Sequence, residues 1–129
     1  MAARGSVSGG VLVIDDEDPS RDALVEFLRG EGYDARGATD GVEALRVLRD
    51  GYKPALVLLD MMMGQMDGWD FRTAQQRDPA LADIPVVVVT AVVDPALEAR
   101  KLRAVAGFRK PFDVYSLLEV VSEYCSRLR

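Results

Sequence analysis

At 129 residues the chain has the length of one domain and can bury roughly two thirds of the surface its unfolded form exposes. Hydrophobic residues make up 49% and charged residues 29%, which excludes a disordered chain, and a net charge of −5 excludes a surface built to hold nucleic acid or anionic lipid through clustered Lys and Arg. Cys125 is the only cysteine, so no intramolecular disulfide can form and a reducing, cytoplasmic setting is expected; the longest apolar stretch, Ile84 to Val93, falls well short of the roughly 20 residues of a membrane span.

Met1 to Gly10 is small and polar and reads as a flexible N-terminal tail, leaving residues 11–129 as the domain. From there, five short β-branched runs alternate with helical patterns, which is the sequence form of a parallel sheet built from βαβ units. The first run, Val11–Asp15, finishes in Asp15-Asp16, and Asp18 before Pro19 predicts the cap of the first helix. The second, Tyr33–Gly37, is more polar and belongs at a sheet edge, and Asp40 with Glu43 forms a capping box for the next helix. The third, Ala55–Asp60, ends in an acid, with Asp67 opening the helix beyond it. The fourth, Val86–Thr90, ends in a hydroxyl and is followed by the cap Asp94 before Pro95. The fifth, Ala106–Arg109, runs into Lys110-Pro111, after which Asp113 caps a helix with Val114, Leu117, Leu118, Val121, Tyr124, Cys125 and Leu128 on one face.

Most of the twenty-one acids have an ordinary explanation as helix caps or solvated faces. Asp15, Asp16 and Asp60 do not, because each ends a run that reads as a buried strand; the bland reading of the first two is a turn cap. In a parallel sheet with right-handed crossovers all strands point one way, so these acids, Thr90 and Lys110 emerge at the same edge, where ligands of such sheets bind. Like charges about 4 Å apart repel by about 4 kcal/mol at an effective dielectric near 20, so a cation must join them. All-oxygen donors without histidine or thiolate select a hard ion such as Mg²⁺. Acids, a hard cation, a hydroxyl and a lysine suit phosphoryl transfer, and Asp60, ending a central strand, is the candidate nucleophile for an acyl phosphate.

These residues resemble the receiver domain of bacterial response regulators, from about Val11 to Arg127. The likeness is carried by Asp15-Asp16, by Leu58-Leu59-Asp60-Met61-Met62-Met63-Gly64-Gln65-Met66-Asp67-Gly68, by Thr90-Ala91 and by Lys110-Pro111-Phe112. It implies an α/β, flavodoxin-like three-layer sandwich whose five-stranded parallel sheet has the order 2-1-3-4-5. It implies phosphorylation of Asp60 by a sensor histidine kinase or histidine phosphotransfer protein, with Thr90 and Lys110 contacting the phosphoryl group. Mg²⁺ would be held by Asp16, Asp60 and the backbone carbonyl of Met62, with Asp15 acting through water, and Lys110-Pro111 would be a cis peptide. Such a protein catalyses only its own phosphorylation and dephosphorylation and signals to a downstream protein, as a monomer or a phosphorylation-linked dimer. Neither nucleic acid nor a membrane is contacted directly.

The sequence departs from the family pattern at two places. Gly64 stands where the family has proline, and Gly107 stands three residues before the lysine, where an aromatic normally follows the threonine; Phe108 lies one position later, and strand alternation would turn it towards the core. Apolar Met62 and Val92, at positions that tune water access, imply slow self-dephosphorylation. Trp69 is expected beside the site, and the fourth and fifth helices, with Arg100, Arg103, Tyr115 and Glu119, form the surface expected to meet partners. A receiver-like module working without phosphorylation is the alternative, opposed by the intact acids, Thr90 and Lys110. An aspartyl-phosphate phosphatase would need an acid where Met62 stands, and no G-x-G-x-x-G or G-x-x-x-x-G-K-S/T nucleotide motif is present.

Overall fold

The computed structural model describes residues 9–61 and 66–127. In chain order the elements are β1 (Val11–Ile14), α1 (Asp18–Gly30), β2 (Ala35–Ala38), α2 (Gly41–Arg49), β3 (Leu56–Asp60), α3 (Gly68–Arg77), β4 (Val86–Thr90), α4 (Pro95–Leu102), β5 (Ala106–Arg109) and α5 (Val114–Tyr124). The strands pair in parallel in the order β2-β1-β3-β4-β5, so the polar β2 is an edge strand and the nearly all-apolar β1, β3 and β4 lie inside.

Strand alternation divides the core into two layers. Leu12, Ile14, Val57, Leu59, Val86 and Val88 pack against Ala44, Leu45 and Leu48 of α2, Phe71 of α3 and Leu102 of α4. Val11, Val13, Leu56, Leu58 and Val87 pack on the other face against Val25 and Leu28 of α1 and Leu117 and Val121 of α5. Each fully buried aliphatic side chain contributes about 1.5–3 kcal/mol, so covering both faces of three central strands supplies the main driving force.

Four of the predicted caps form: Asp40, Asp67, Asp94 and Asp113 accept from the backbone N–H of Glu43, Asp70, Leu97 and Tyr115 at 2.9–3.1 Å. Asp18 does not cap. It lies inside α1, whose cap position is Glu17, and its carboxylate binds Arg21 instead. Just ahead of the helix, Asp15 Oδ1 accepts from the N–H of Glu17 at 2.9 Å. Glu43 reaches the N–H of Thr39 at 2.7 Å, one residue before the expected partner of its capping box.

The C-terminal face is also modified. Leu117, Val121 and Cys125 are buried, but α5 stops at Tyr124, which is 39% exposed; extended backbone at Cys125 then turns its thiol towards the Gly10 carbonyl, and burial raises the thiol pKa to about 11. Leu128 and residues 1–8 of the expected tail lie outside the described residues. Gly10 is already fixed, its carbonyl accepting from Ala55 N–H at 2.8 Å.

The residue after α4 holds an adverse conformation. Arg103 follows α4 with φ +56°, a left-handed conformation that suits glycine and costs a residue with a Cβ roughly 1 kcal/mol. Its side chain is exposed. Arg103→Gly is therefore expected to raise stability by about 0.5–1 kcal/mol, seen as a higher urea midpoint with an unchanged slope.

Candidate phosphoryl-transfer site

Three strands deliver the site. Ile14 and Asp60 are the last residues of β1 and β3, and Thr90 is the last of β4, so the parallel sheet presents the segments following all three at one edge. Asp15 and Asp60 are buried there and Asp16 is exposed; one carboxylate oxygen from each lies within 4.8 Å of the others. From β5 the Lys110 ammonium reaches back and donates to Asp60 Oδ2 at 3.1 Å. Lys110-Pro111 is a cis peptide, as the resemblance implied. Asp16, Glu17, Asp60, Ala91 and Lys110 line a shallow cavity of about 290 Å³.

The electrostatics follow from this crowding. Burial raises the pKa of Asp15 and the neighbouring Asp60 charge adds to the rise, although the Glu17 N–H and the Lys110 charge oppose it. Burial alone would lower the pKa of Lys110, but its hydrogen bond to Asp60 and the charges of Asp60, Asp15 and Glu17 outweigh that and raise it. The site therefore has room for added positive charge. Its oxygen donors, with no imidazole or thiolate in the cluster, fit a hard divalent cation and supply no ligand that would favour zinc.

The Thr90 hydroxyl is buried and accepts from the N–H of Val92 at 3.3 Å. A hydroxyl both accepts and donates, so its proton stays available for an oxygen placed over the site. Met61 is 3% exposed and lies against Gly68, the first residue of α3, while Met66, at φ +75°, offers its carbonyl to the N–H of Gly41 at 3.3 Å. Met61 is thus fastened to α3, and Met66 to α2. Met62, its proposed carbonyl ligand, Met63 and Gly64 fall outside the described residues.

A family model described as "Response regulator receiver domain" matches residues 11–122. The chain belongs to the response regulator receiver family. It is 33% identical to sporulation initiation phosphotransferase F of Bacillus subtilis over 116 residues, covering 88% of this chain and 91% of that protein. It is 37% identical to transcriptional regulatory protein PdtaR of Mycobacterium tuberculosis, covering 98% of this chain and 62% of PdtaR. The chain spans less than half of the DNA-binding dual master transcriptional regulator RpaA of Synechocystis, covering 45% of it at 33% identity. Among solved structures, a response regulator receiver protein from Pseudomonas putida superposes with a TM-score of 0.81 at 31% identity, covering 89% of this chain and 96% of that one. The Thermotoga maritima response regulator TrrA, solved with Mg²⁺-BeF, superposes with a TM-score of 0.77 at 28% identity, covering 90% and 98%.

The receiver acts in two-component or phosphorelay signalling as a phosphoacceptor that uses Mg²⁺, and its partner in that chemistry is a histidine kinase or phosphotransfer protein. Its catalysis is confined to its own phosphorylation chemistry. No helix of the described residues is long and apolar enough to cross a membrane.

Other residues singled out in the sequence are placed as follows. Trp69 is in the first turn of α3, where it was expected, and is 42% exposed. The Tyr115 ring meets Phe27 of α1 edge-on at 5.8 Å, which puts it on the α1 side of α5 and away from α4. Arg100, Arg103 and Glu119 are exposed. Phe108 does turn into the core, on the face shared with α1 and α5. The sequence reading missed Arg72 and Gln75, which are 7% and 0% exposed. Their spacing from Phe71 and Gly68 on one helical face was the available signal.

Proposed function

We propose that Asp60 is the residue that accepts the phosphoryl group, that Asp15, Asp16, Asp60 and the backbone carbonyl of Met62 hold Mg²⁺, and that Thr90 and Lys110 bind the phosphoryl oxygens. The observation that carries this reading is the 3.1 Å contact of Lys110 with Asp60 inside the acid cluster. Asp60 attacks phosphorus while the bond to the donor imidazole nitrogen breaks and that nitrogen keeps the electron pair. Mg²⁺, when bound, neutralises charge on the transferring oxygens. Lys110 exchanges its hydrogen bond with Asp60 for one to a phosphoryl oxygen, and Thr90 donates its hydroxyl proton while still accepting from Val92. Residues 11–129 act as the receiver, in the cytoplasm, and pass their state to a downstream protein by contact, without binding nucleic acid or membrane themselves.

Incubation with Mg²⁺ and a small phosphodonor is expected to add one phosphoryl group to the intact mass and change Trp69 fluorescence. Asp60→Asn, or chelation of the metal, is expected to abolish the mass change. An Asp60→Asn protein that still gains a phosphoryl group would remove Asp60 as the acceptor.

The donor protein must bring its phosphohistidine over Asp60, and a hollow of about 530 Å³ opens beside it, between α1 and the segment after Lys110. Ser20 and Ala23 form its small-residue rim, and Leu24, Phe27, Phe112 and Val114 its apolar wall. We assign it to an apolar side chain of the donor. Ala23→Leu, at an exposed helical position, is expected to slow transfer from the protein donor at least tenfold while leaving phosphorylation by the small phosphodonor unchanged.

A further inference from the structure

A signal that starts at Asp60 must leave through elements rigidly joined to it. One such path is built from the residue next in the chain. Met61 N–H donates to the Val89 carbonyl at 3.2 Å, and Met61 lies so close to Gly68 that a Cβ there would collide with its side-chain sulfur and come within 2.9 Å of its backbone Cα. Gly68 N–H donates back to the Met61 carbonyl at 3.4 Å. The start of α3 is thereby fixed to the end of β3.

One helical turn further on, Arg72 projects into the protein. Its Nε donates to the Leu102 carbonyl at 2.9 Å, Nη2 to the Arg103 carbonyl at 3.0 Å and Nη1 to Gln75 Oε1 at 2.8 Å. Gln75, fully buried, spends its amide on the carbonyls of Leu81 and Ile84 at 2.9 and 3.0 Å, which lead into β4. A buried guanidinium is ordinarily matched by a carboxylate. Among the described residues Arg72 has no ion pair, and its counter-charge is the negative end of α4, whose last carbonyls have no partners within the helix. The fork geometry matters, since it spans two consecutive carbonyls at once and fixes the direction of α4 as well as its position.

The other end of α4 is held by a different contact. The Pro95 carbonyl sits over β5 so closely that a Cβ on Gly107 would lie 2.3 Å from it, and β5 has no side chain there to move beneath the helix.

We propose that Arg72 is a positioning residue that couples α3 to the C-terminal end of α4, so that phosphorylation of Asp60 is passed along α3 and read at residues 100–104. This rests on Asp60 being the acceptor. A charged side chain at this buried place is then explained by what it joins, since an aliphatic residue could fill the volume but not hold two carbonyls.

Hydrogen exchange of the whole protein with and without Mg²⁺ and beryllofluoride tests it. In the wild type, exchange is expected to slow several-fold both in α3 and at residues 100–104. In Arg72→Met, phosphorylation by a small donor and the change in α3 persist, whereas the change at 100–104 is lost. Thr73→Ala, on the exposed side of the same helix, keeps both. Should Arg72→Met fail to fold, Arg72→Lys, which keeps the charge but not the fork, carries the same expectation. A change at 100–104 that survives the loss of the fork, or that never occurs in the wild type although residues around Asp60 respond, overturns the coupling alone. No response anywhere, including around Asp60, overturns the acceptor assignment with it.

Discussion

Gly107→Tyr is expected to destabilise the protein by about 3 kcal/mol or more, a loss seen as a large fall in the urea midpoint. The ring is not the main cause. A Cβ at this position would stand 2.3 Å from the Pro95 carbonyl oxygen, 2.9 Å from its carbon and 3.2 Å from the Ala99 Cβ. Backbone atoms cannot rotate away as a side-chain tip can, and Pro95 is held in the first turn of α4 by the Asp94 cap on Leu97 N–H at 3.0 Å. Gly107→Ala should therefore share most of the loss. Equal midpoints for all three proteins would mean that α4 stands further from β5 than described. The comparison also bears on signalling, because an aromatic at this position is the family's usual follower of the threonine, and here it could enter only by displacing α4.

Asp15→Asn is expected to stabilise the metal-free protein at neutral pH by about 1 kcal/mol after allowance for solvent screening, or about 4 °C in Tm, and to remove most of the further rise caused by Mg²⁺. Asp15 has a folded pKa above its ordinary 3.8, chiefly because it is buried and secondarily because Asp60 is near. Its contribution thus favours the fold below the unfolded value and is lost as pH climbs through the folded one, so at neutrality the ionised form weighs against the fold. Lys110, also raised, favours the fold up to its ordinary 10.5 and loses that contribution as pH rises through its folded value. In the wild type the Mg²⁺-induced rise in Tm should shrink as the pH is lowered through the raised Asp15 pKa. A metal effect equal in wild type and Asp15→Asn across this range would separate Asp15 from the ion.

The parallel sheet, the two-layer core and the meeting of Asp15, Asp16, Asp60, Thr90 and Lys110 at one edge were legible because each follows from alternation, crossover handedness or an acid with no local use, whereas the strand order came only from the family resemblance. Asp15 turned out to have one local use after all, holding the N–H of Glu17, while the expected cap Asp18 lies inside α1 and binds Arg21. Whether a given acid takes the cap position depends on backbone angles that residue types do not specify. Arg72 was missed, despite its spacing on the buried face of α3, for a different reason. An arginine in a helix reads as solvent-facing, and only the tertiary arrival of the α4 carbonyls, about thirty residues later in the chain, makes its burial tolerable. Tyr115 likewise could have faced either neighbour of α5 until Phe27 was placed.

The donor docking proposed at the hollow lined by Ser20 and Ala23 bears on insulation between signalling channels. A bulging patch repels ill-fitting partners by collision, but an indentation admits every partner and rewards only the one that fills it. A phosphodonor with a flat surface would dock here over an unfilled void and forgo the dispersion energy of its wall. Discrimination between cognate and foreign kinases would then rest on residence time, with poorly matched donors arriving as often as the right one and leaving sooner.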